Sequence, residues 1–298
     1  MKGKVSHFTR NHNMHDINSA ELNQADLRRL QMVEYEMICE VDRICKKNNI
    51  QYTLYAGTLL GAVRHQGFIP WDDDADIAFL PEEYEKFYEA CKTDLDTDKF
   101  FLQDYRTDKY YRWGYAKLRR NNSAFIREGQ EHMKYHNGIC IDLFVLYNVP
   151  DNPIHRKLYF DAFFLIRKTL YSEAGKVSAP NAFQRSIYRV LSWIPKETVF
   201  KLTNTILYRK PSELVNLMFI PTPSSKYGIP RRCLIENHPM QFENRLFLAM
   251  KGYDEVLKIA YGDYMTPPPE NKRKSHNPAT QIVFPEEYSS TNRLKGTK

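Results

Sequence analysis

Residues 68–79 read FIPWDDDADIAF, which places four carboxylates within the five positions from Asp72 to Asp76 and brackets them with Trp71 and Ile77. Like charges this close repel one another and oppose the strand pairing that the flanking apolar residues favour. A chain that folds around such a stretch must set positive charge among the acids. Read as a strand, DADIAFL puts Asp74 and Asp76 on one face and Ala75, Ile77 and Phe79 on the other.

Spacing and turn residues predict the neighbouring elements. Leu30, Val33, Met37, Val41 and Ile44 recur at helical intervals, so a long amphipathic helix is expected from Leu22 to Lys47, stopped by Asn48 and Asn49. IQYTLYA reads as a strand, after which Gly57 and Thr58 turn the chain into TLLGAVRHQ, a short helix broken by Gly67 and Pro70. PEEYEKFYEACK is a further helix, with Pro81 in its first turn and Glu82 and Glu83 complementing its dipole. FFLQDY, YAKLRR and SAFIR predict short strands, and NGICIDLFVLYNV is the most apolar strand candidate. Asp142 is the one charge in that run, and its burial would be costly without a partner or a metal.

The charge distribution marks a different region. Between His155 and Lys210 eleven Lys or Arg face only Asp161, Glu173 and Glu197, a local excess of +8 against +7 for the whole chain. There KLYFDAFFLIRKTLY and FQRSIYRVLSWIPKETVFKLTNTILYRK interleave aromatic and aliphatic residues with Lys and Arg at helical intervals. The pattern suits a face turned to anionic lipid head groups, and equally core-packed helices with basic outer faces. No nucleic-acid motif accompanies the charge, so nucleic acid is not an expected partner. The 42% hydrophobic fraction suffices for a real core. Cys39, Cys45, Cys91, Cys140 and Cys233 are scattered, with no CxxC pair, and read as reduced thiols. Residues 1–19 are polar, expected to be disordered, and lack the apolar run of an export signal. A cytoplasmic protein, peripheral at the inner face of the membrane, is the expectation.

Three pieces carry chemistry. A glycine turn opening a helix, at Gly57 and Thr58, offers backbone N–H groups to a phosphate. Asp74 and Asp76 can converge on a hard divalent cation, Mg²⁺ or Mn²⁺, and Asp142 on a later strand adds a third carboxylate if the two strands lie side by side. Such a site suits phosphoryl or nucleotidyl transfer, with an alcohol attacking phosphorus in line. Arg64, at the far end of the short helix, and Lys117 and Arg119, alternating on YAKLRR, can offset phosphate charge. Trp71 and Trp113 are candidate aromatic faces for a quaternary ammonium head group. A calcium loop starting at Asp72 is rejected because Ile77 stands where that loop needs glycine. His132 and His136 lack a third ligand and are read as surface residues.

The run YTLYAGTLLGAVRHQGFIPWDDDADIAF resembles the signature of the LicD family, NGICIDLF resembles that family's later hydrophobic-Asp-hydrophobic strand, and QFENRLF with YDEVLKIAYGDYMTPPPENKR is similar to its closing block. The resemblance implies an α+β fold, a nucleotidyltransferase-like mixed sheet flanked by helices, with an additional basic helical segment. The expected parts are a catalytic core over 20–150, the basic aromatic helical segment over 151–235, and a C-terminal family block over 236–298 packing back on the core. It further implies transfer of phosphocholine, or a related phospho-alcohol, from a CDP-activated donor such as CDP-choline onto a sugar of lipopolysaccharide or teichoic acid. The fukutin-related proteins resemble the same core. On this resemblance Asp74, Asp76 and Asp142 are metal ligands, with Asp142 also placed to take the acceptor's proton. Gly57 and Thr58 meet the donor phosphate, and Asp72 and Asp73 support from the strand entrance. The alternative is a nucleotidyltransferase that attaches a nucleoside monophosphate and releases pyrophosphate. Neither the alcohol head group nor the acceptor glycan can be read from the middle segment.

Overall fold

The computed structural model describes residues 22–220, 228–275 and 278–287; the polar stretch 1–19 and the last residues of the C-terminal block lie outside them. Helix α1 runs Gln24–Lys47, capped at its start by the Asn23 side chain, and buries Leu30, Met37, Val41 and Ile44. It ends where expected: Asn48 donates back to Ile44, and Asn49 turns the chain at a φ of 53°. The strand predicted over IQYTLYA is reduced to β1, Thr53–Leu54. Ala56, at a positive φ of 44°, already opens α2, Ala56–His65, so Gly57 and Thr58 lie inside the helix's first turn rather than ahead of it.

Strand β2 is Asp76–Phe79, with all four residues buried. The predicted alternation therefore fails, and Asp74 sits ahead of the strand. Two faces covered by protein remove the reason for alternating polarity. Helix α3, Pro81–Asp94, leads to β3, Phe100–Gln103, then to β4, Ala116–Arg120, β5, Ala124–Arg127, and β6, Cys140–Val149. The central sheet has the order β1-β2-β6-β4-β3. Pairing is antiparallel except between β2 and β6, which run parallel, so the sheet is mixed and the fold α+β.

Helices α4 (Pro153–Leu170), α5 (Ser172–Ser178), α6 (Ala182–Leu191) and α7 (Lys196–Ile206) make up the basic segment. Beyond α7 the described part of the segment read as helical holds two strands and a single 3-10 turn at Arg231–Leu234. Strand β7, Leu214–Leu217, pairs with the second half of β6, and β8, Ile229–Pro230, pairs with β7. Tyr159, Phe163, Ile166 and Leu170 of α4 bury their side chains with Val199 and Phe200 of α7 in a satellite core. Lys196 is drawn inward, its Nζ donating to the carbonyls of Tyr105, Asp108 and Tyr111. One of the eleven cations is therefore spent inside the protein.

After β9 (Asn237–Phe242) and β10 (Arg245–Met250), an antiparallel hairpin, come α8 (Tyr253–Tyr261) and β11 (Ala279–Val283). The hairpin packs on β1 and α2, and β11 pairs with β5 in a separate two-stranded ribbon. SAFIR thus contributes no strand to the central sheet. Among the described residues, no helix is long and apolar enough to cross a membrane.

Candidate active site

Register brings the charged groups of the sheet together. Asp76 on β2 lies beside Asp142 on β6, and Asp142 lies opposite Lys117 on β4. Directly paired residues share a face, so the three side chains form a row across the middle of the sheet. Lys117, buried, makes an ion pair with Asp142. Burial alone would lower the Lys117 pKa, but the neighbouring Asp142, Cys140 and Tyr115 outweigh it and hold the ammonium above its ordinary value. Asp76 is pushed well above the usual carboxylate range, first by burial and then by the charges of Asp74, Asp142 and Asp72. Arg127, at the end of β5, is held up by Tyr115, Asp142 and Asp74 against the opposing effect of its burial.

Ahead of β2, Asp72, Asp73 and Asp74 each bring one carboxylate oxygen to within 4.8 Å of the others. This spacing fits the donor set of a hard divalent cation, whose oxygens stand about 2.0–2.6 Å from the ion. The closest convergence of carboxylates therefore falls on residues 72–74, with Asp76 and Asp142 next to it along the sheet. Asp72 and Asp73 are buried and lie just ahead of β2, at the strand entrance. Gln31 of α1 holds the loop by donating to the carbonyls of Ile69 and Asp72. Glu34, fully buried on α1, is raised well above its ordinary pKa by burial and then by Asp74, Cys140, Asp73 and Asp72, and its Oε2 has no hydrogen-bond partner among the described residues.

The remaining residues divide by location. Gly57 admits the Asp72 carboxylate to the first turn of α2: a Cβ there would lie 2.6 Å from Oδ2. A carboxylate at that helix start is favoured by the dipole. Thr58 is buried and accepts a hydrogen bond from the Asp76 backbone N–H at 2.8 Å, so its hydroxyl fixes the start of β2 instead of facing a ligand. Gly57, Arg64, Trp71, Asp72, Asp74 and Asp76 line one cavity of about 400 Å³. Its opposite wall is Tyr261, Asp263, Tyr264, Thr266 and Pro268. Arg64 donates to the Tyr264 carbonyl, and its pKa is lowered by burial and by the like charge of Arg273, which stacks on the Trp71 ring at 5.1 Å.

Two predicted contributors lie elsewhere. Arg119 is buried, with its guanidinium donating to the Gln103 side chain and the Gly138 carbonyl. β4 is an interior strand, so this cation is a structural tie. Trp113 packs with Tyr111, Met133 and Tyr135 and lines a different cavity, with Phe164, Arg167 and Lys168. His136 stacks on Phe101 and meets Asn121, in a loop and not a helix. Sequence reasoning missed Glu34, Arg127, Tyr261, Tyr264 and Arg273. YGDYM and ENKR were visible as part of the closing block, but nothing in spacing alone set them against the acids.

This arrangement, with acids of β2 and the loop before it facing a cavity that residues 261–268 also line, and Asp142 of the parallel neighbour β6 beside them, falls within a segment that matches a known type of domain. Residues 49–161 match the family model described as LicD/FKTN/FKRP, nucleotidyltransferase domain. That match spans β1 to β6 and includes Asp72–Asp76, Lys117 and Asp142. Over 268 residues the chain is 27% identical to the lipopolysaccharide cholinephosphotransferase LicD of Haemophilus influenzae, covering 84% of this chain and 96% of that protein. An uncharacterized protein of Rickettsia typhi is 28% identical over 147 residues, 47% of this chain and 39% of its own length. A second, from Rickettsia prowazekii, is 39% identical over 77 residues, 20% of this chain and 29% of its own.

Proposed function

We propose that the protein transfers phosphocholine, or a related phospho-alcohol, from a CDP-activated donor to a sugar hydroxyl of a surface glycan, releasing CMP. The observation that carries this reading is the row Lys117–Asp142–Asp76 beside the Asp72–Asp74 cluster, with Asp72, Asp74 and Asp76 lining a cavity that also presents Arg64, Trp71, Tyr261 and Tyr264. The activity named for the H. influenzae relative, which spans nearly the same length, supports the choice of phospho-alcohol.

Asp72, Asp73, Asp74 and Asp76 would hold Mg²⁺ or Mn²⁺, which supplies charge stabilisation to phosphate oxygens. Arg64 lines the cavity and Arg273 stacks on its Trp71, so both stand where they offset the remaining negative charge of a diphosphate. Trp71, Tyr261 and Tyr264 offer ring faces to a trimethylammonium group. Asp142 accepts the proton of the acceptor hydroxyl, with Lys117 ion-paired beside it. The acceptor oxygen forms a bond to the alcohol-bearing phosphorus, the bond between that phosphorus and the bridging oxygen breaks, and CMP leaves with the electron pair.

The test is ³¹P NMR of purified protein with Mg²⁺, an amino-sugar acceptor and a panel of CDP-alcohols. CMP release with CDP-choline, abolished in Asp74→Asn, is the expected result. Pyrophosphate from a nucleoside triphosphate, with every CDP-alcohol inert, would replace this reading with nucleotidyl transfer.

A further inference from the structure

Helix α6 carries its apolar stripe on the outside. Phe183, Ile187 and Val190 recur at intervals of four and three and so share one helix face, and they are 76%, 44% and 57% exposed. Trp193, in the turn that follows, is 75% exposed. The helix is anchored from its other side, where Tyr188 packs edge-on against Tyr171 and closely on Gly175 of α5. A Cβ at Gly175 would meet the Tyr188 ring at 2.6 Å, so glycine is what lets the two helices approach. On α4, Ile154, Leu158 and Leu165 form a second exposed apolar set, and α7 adds Leu202. Exposed cations stand among them: Lys157 and Lys168 on α4, Arg189 on α6 and Lys201 on α7.

Monomeric soluble proteins seldom leave so many large apolar side chains in water, and such a patch marks an interaction surface. Its charge selects the occupant. A second copy of this chain would bring the same cations against these. A bilayer interface with anionic head groups accepts both the hydrocarbon and the cations, and no helix among the described residues spans the membrane on its own. We infer that the outer face of α4, α6 and α7 docks on an anionic bilayer, with Phe183, Ile187, Val190 and Trp193 entering the head-group region. The inference stands on this face alone and does not require the proposed transfer reaction.

The full chain is sedimented with vesicles of phosphatidylcholine alone and of phosphatidylcholine with about one third phosphatidylglycerol. Binding to the mixed vesicles, released as salt screens charge beyond about 10 Å at 0.1 M, is expected. Removing Arg189 and Lys201 as glutamines should weaken it about fivefold per cation. The exposed triple variant Phe183→Ser/Ile187→Ser/Val190→Ser should lose it while keeping the wild-type melting temperature. The Trp193 emission should shift to the blue on binding, with no such shift in Trp193→Ser. No sedimentation with the mixed vesicles, or equal binding to neutral ones, would overturn the inference. So would a dimer in light scattering that the triple variant dissociates. These results leave the CMP-release experiment untouched, so the two readings can fail separately.

Discussion

At the middle of the sheet Lys117, Asp142 and Asp76 are ionisable groups taken out of water, whereas on α6 Phe183, Ile187 and Val190 are hydrocarbon left in it. Each region reverses the usual distribution, and each reversal costs folding stability. The sheet offsets part of its cost internally, through the ion pair and through the cations Arg127 and Lys117 set beside the acids. Among the described residues nothing covers the helical face. A site that works on a small charged ligand carries its counter-charges within, while a surface awaiting a partner leaves its complement outside.

The comparison is sharpest for function at Asp76. Asp76→Asn should lower turnover by about two orders of magnitude or more, measured as CMP release. Folded Asp76 has a raised pKa, so at neutral pH its charge opposes folding, and the neutral amide should keep or raise the melting temperature without divalent cation. Mg²⁺ should then stabilise the wild type by up to about 2.7 kcal/mol at 100-fold its dissociation constant, and the variant by less. Equal Mg²⁺ response in both would break the assignment of the cluster as a cation site.

Adjacent positions on α4 contrast burial with exposure directly. Phe163 is 0% and Phe164 50% exposed. Phe163→Ala should cost about 3–5 kcal/mol in denaturant unfolding, and Phe164→Ala about 0.5 kcal/mol or less. Comparable losses would mean that the outer face is packed after all.

The internal counter-charge is tested by a double-mutant cycle. Asp142→Asn strands a buried ammonium and should cost about 3 kcal/mol, most of it recovered in Lys117→Met/Asp142→Asn. Additive losses would show that the pair contributes nothing to stability. The smallest effect concerns His136, whose pKa falls from 6.5 to about 4 through burial and the nearby Arg119. A depressed histidine means the unfolded chain binds the extra proton, so stability should decline as pH drops from 6.5 to about 4, and His136→Gln should flatten that slope.

Much of this was legible in the sequence, for identifiable reasons. The 3.6-residue spacing of α1 is a local signal and its end at Asn48 a local stop, so both were readable. The meeting of Asp142 with Asp76 was anticipated because Asp142 stands alone in an apolar run, where burial leaves few options besides pairing of its strand with the acidic one. Alternation misled at β2 because both of its faces are covered, and Arg119 misled because an interior strand can bind its cation to a carbonyl. The cavity's far wall was hidden: Tyr261 and Tyr264 reach it only through the packing of α8 on α2. On α6 the helical period was plain, but which face met the protein was decided by Tyr188 against Gly175.

The single parallel pairing in the sheet, β2 with β6, has a consequence for the order of assembly. Antiparallel neighbours such as β3 and β4 can meet through a local turn, but β2 and β6 meet only after α3 and three intervening strands have been looped out. Closing so long a loop is entropically slow. The carboxylates of residues 76 and 142 therefore come together late, and a chain caught partway through folding holds only the contiguous acids of 72–76, without Asp142 and its Lys117 partner beside them.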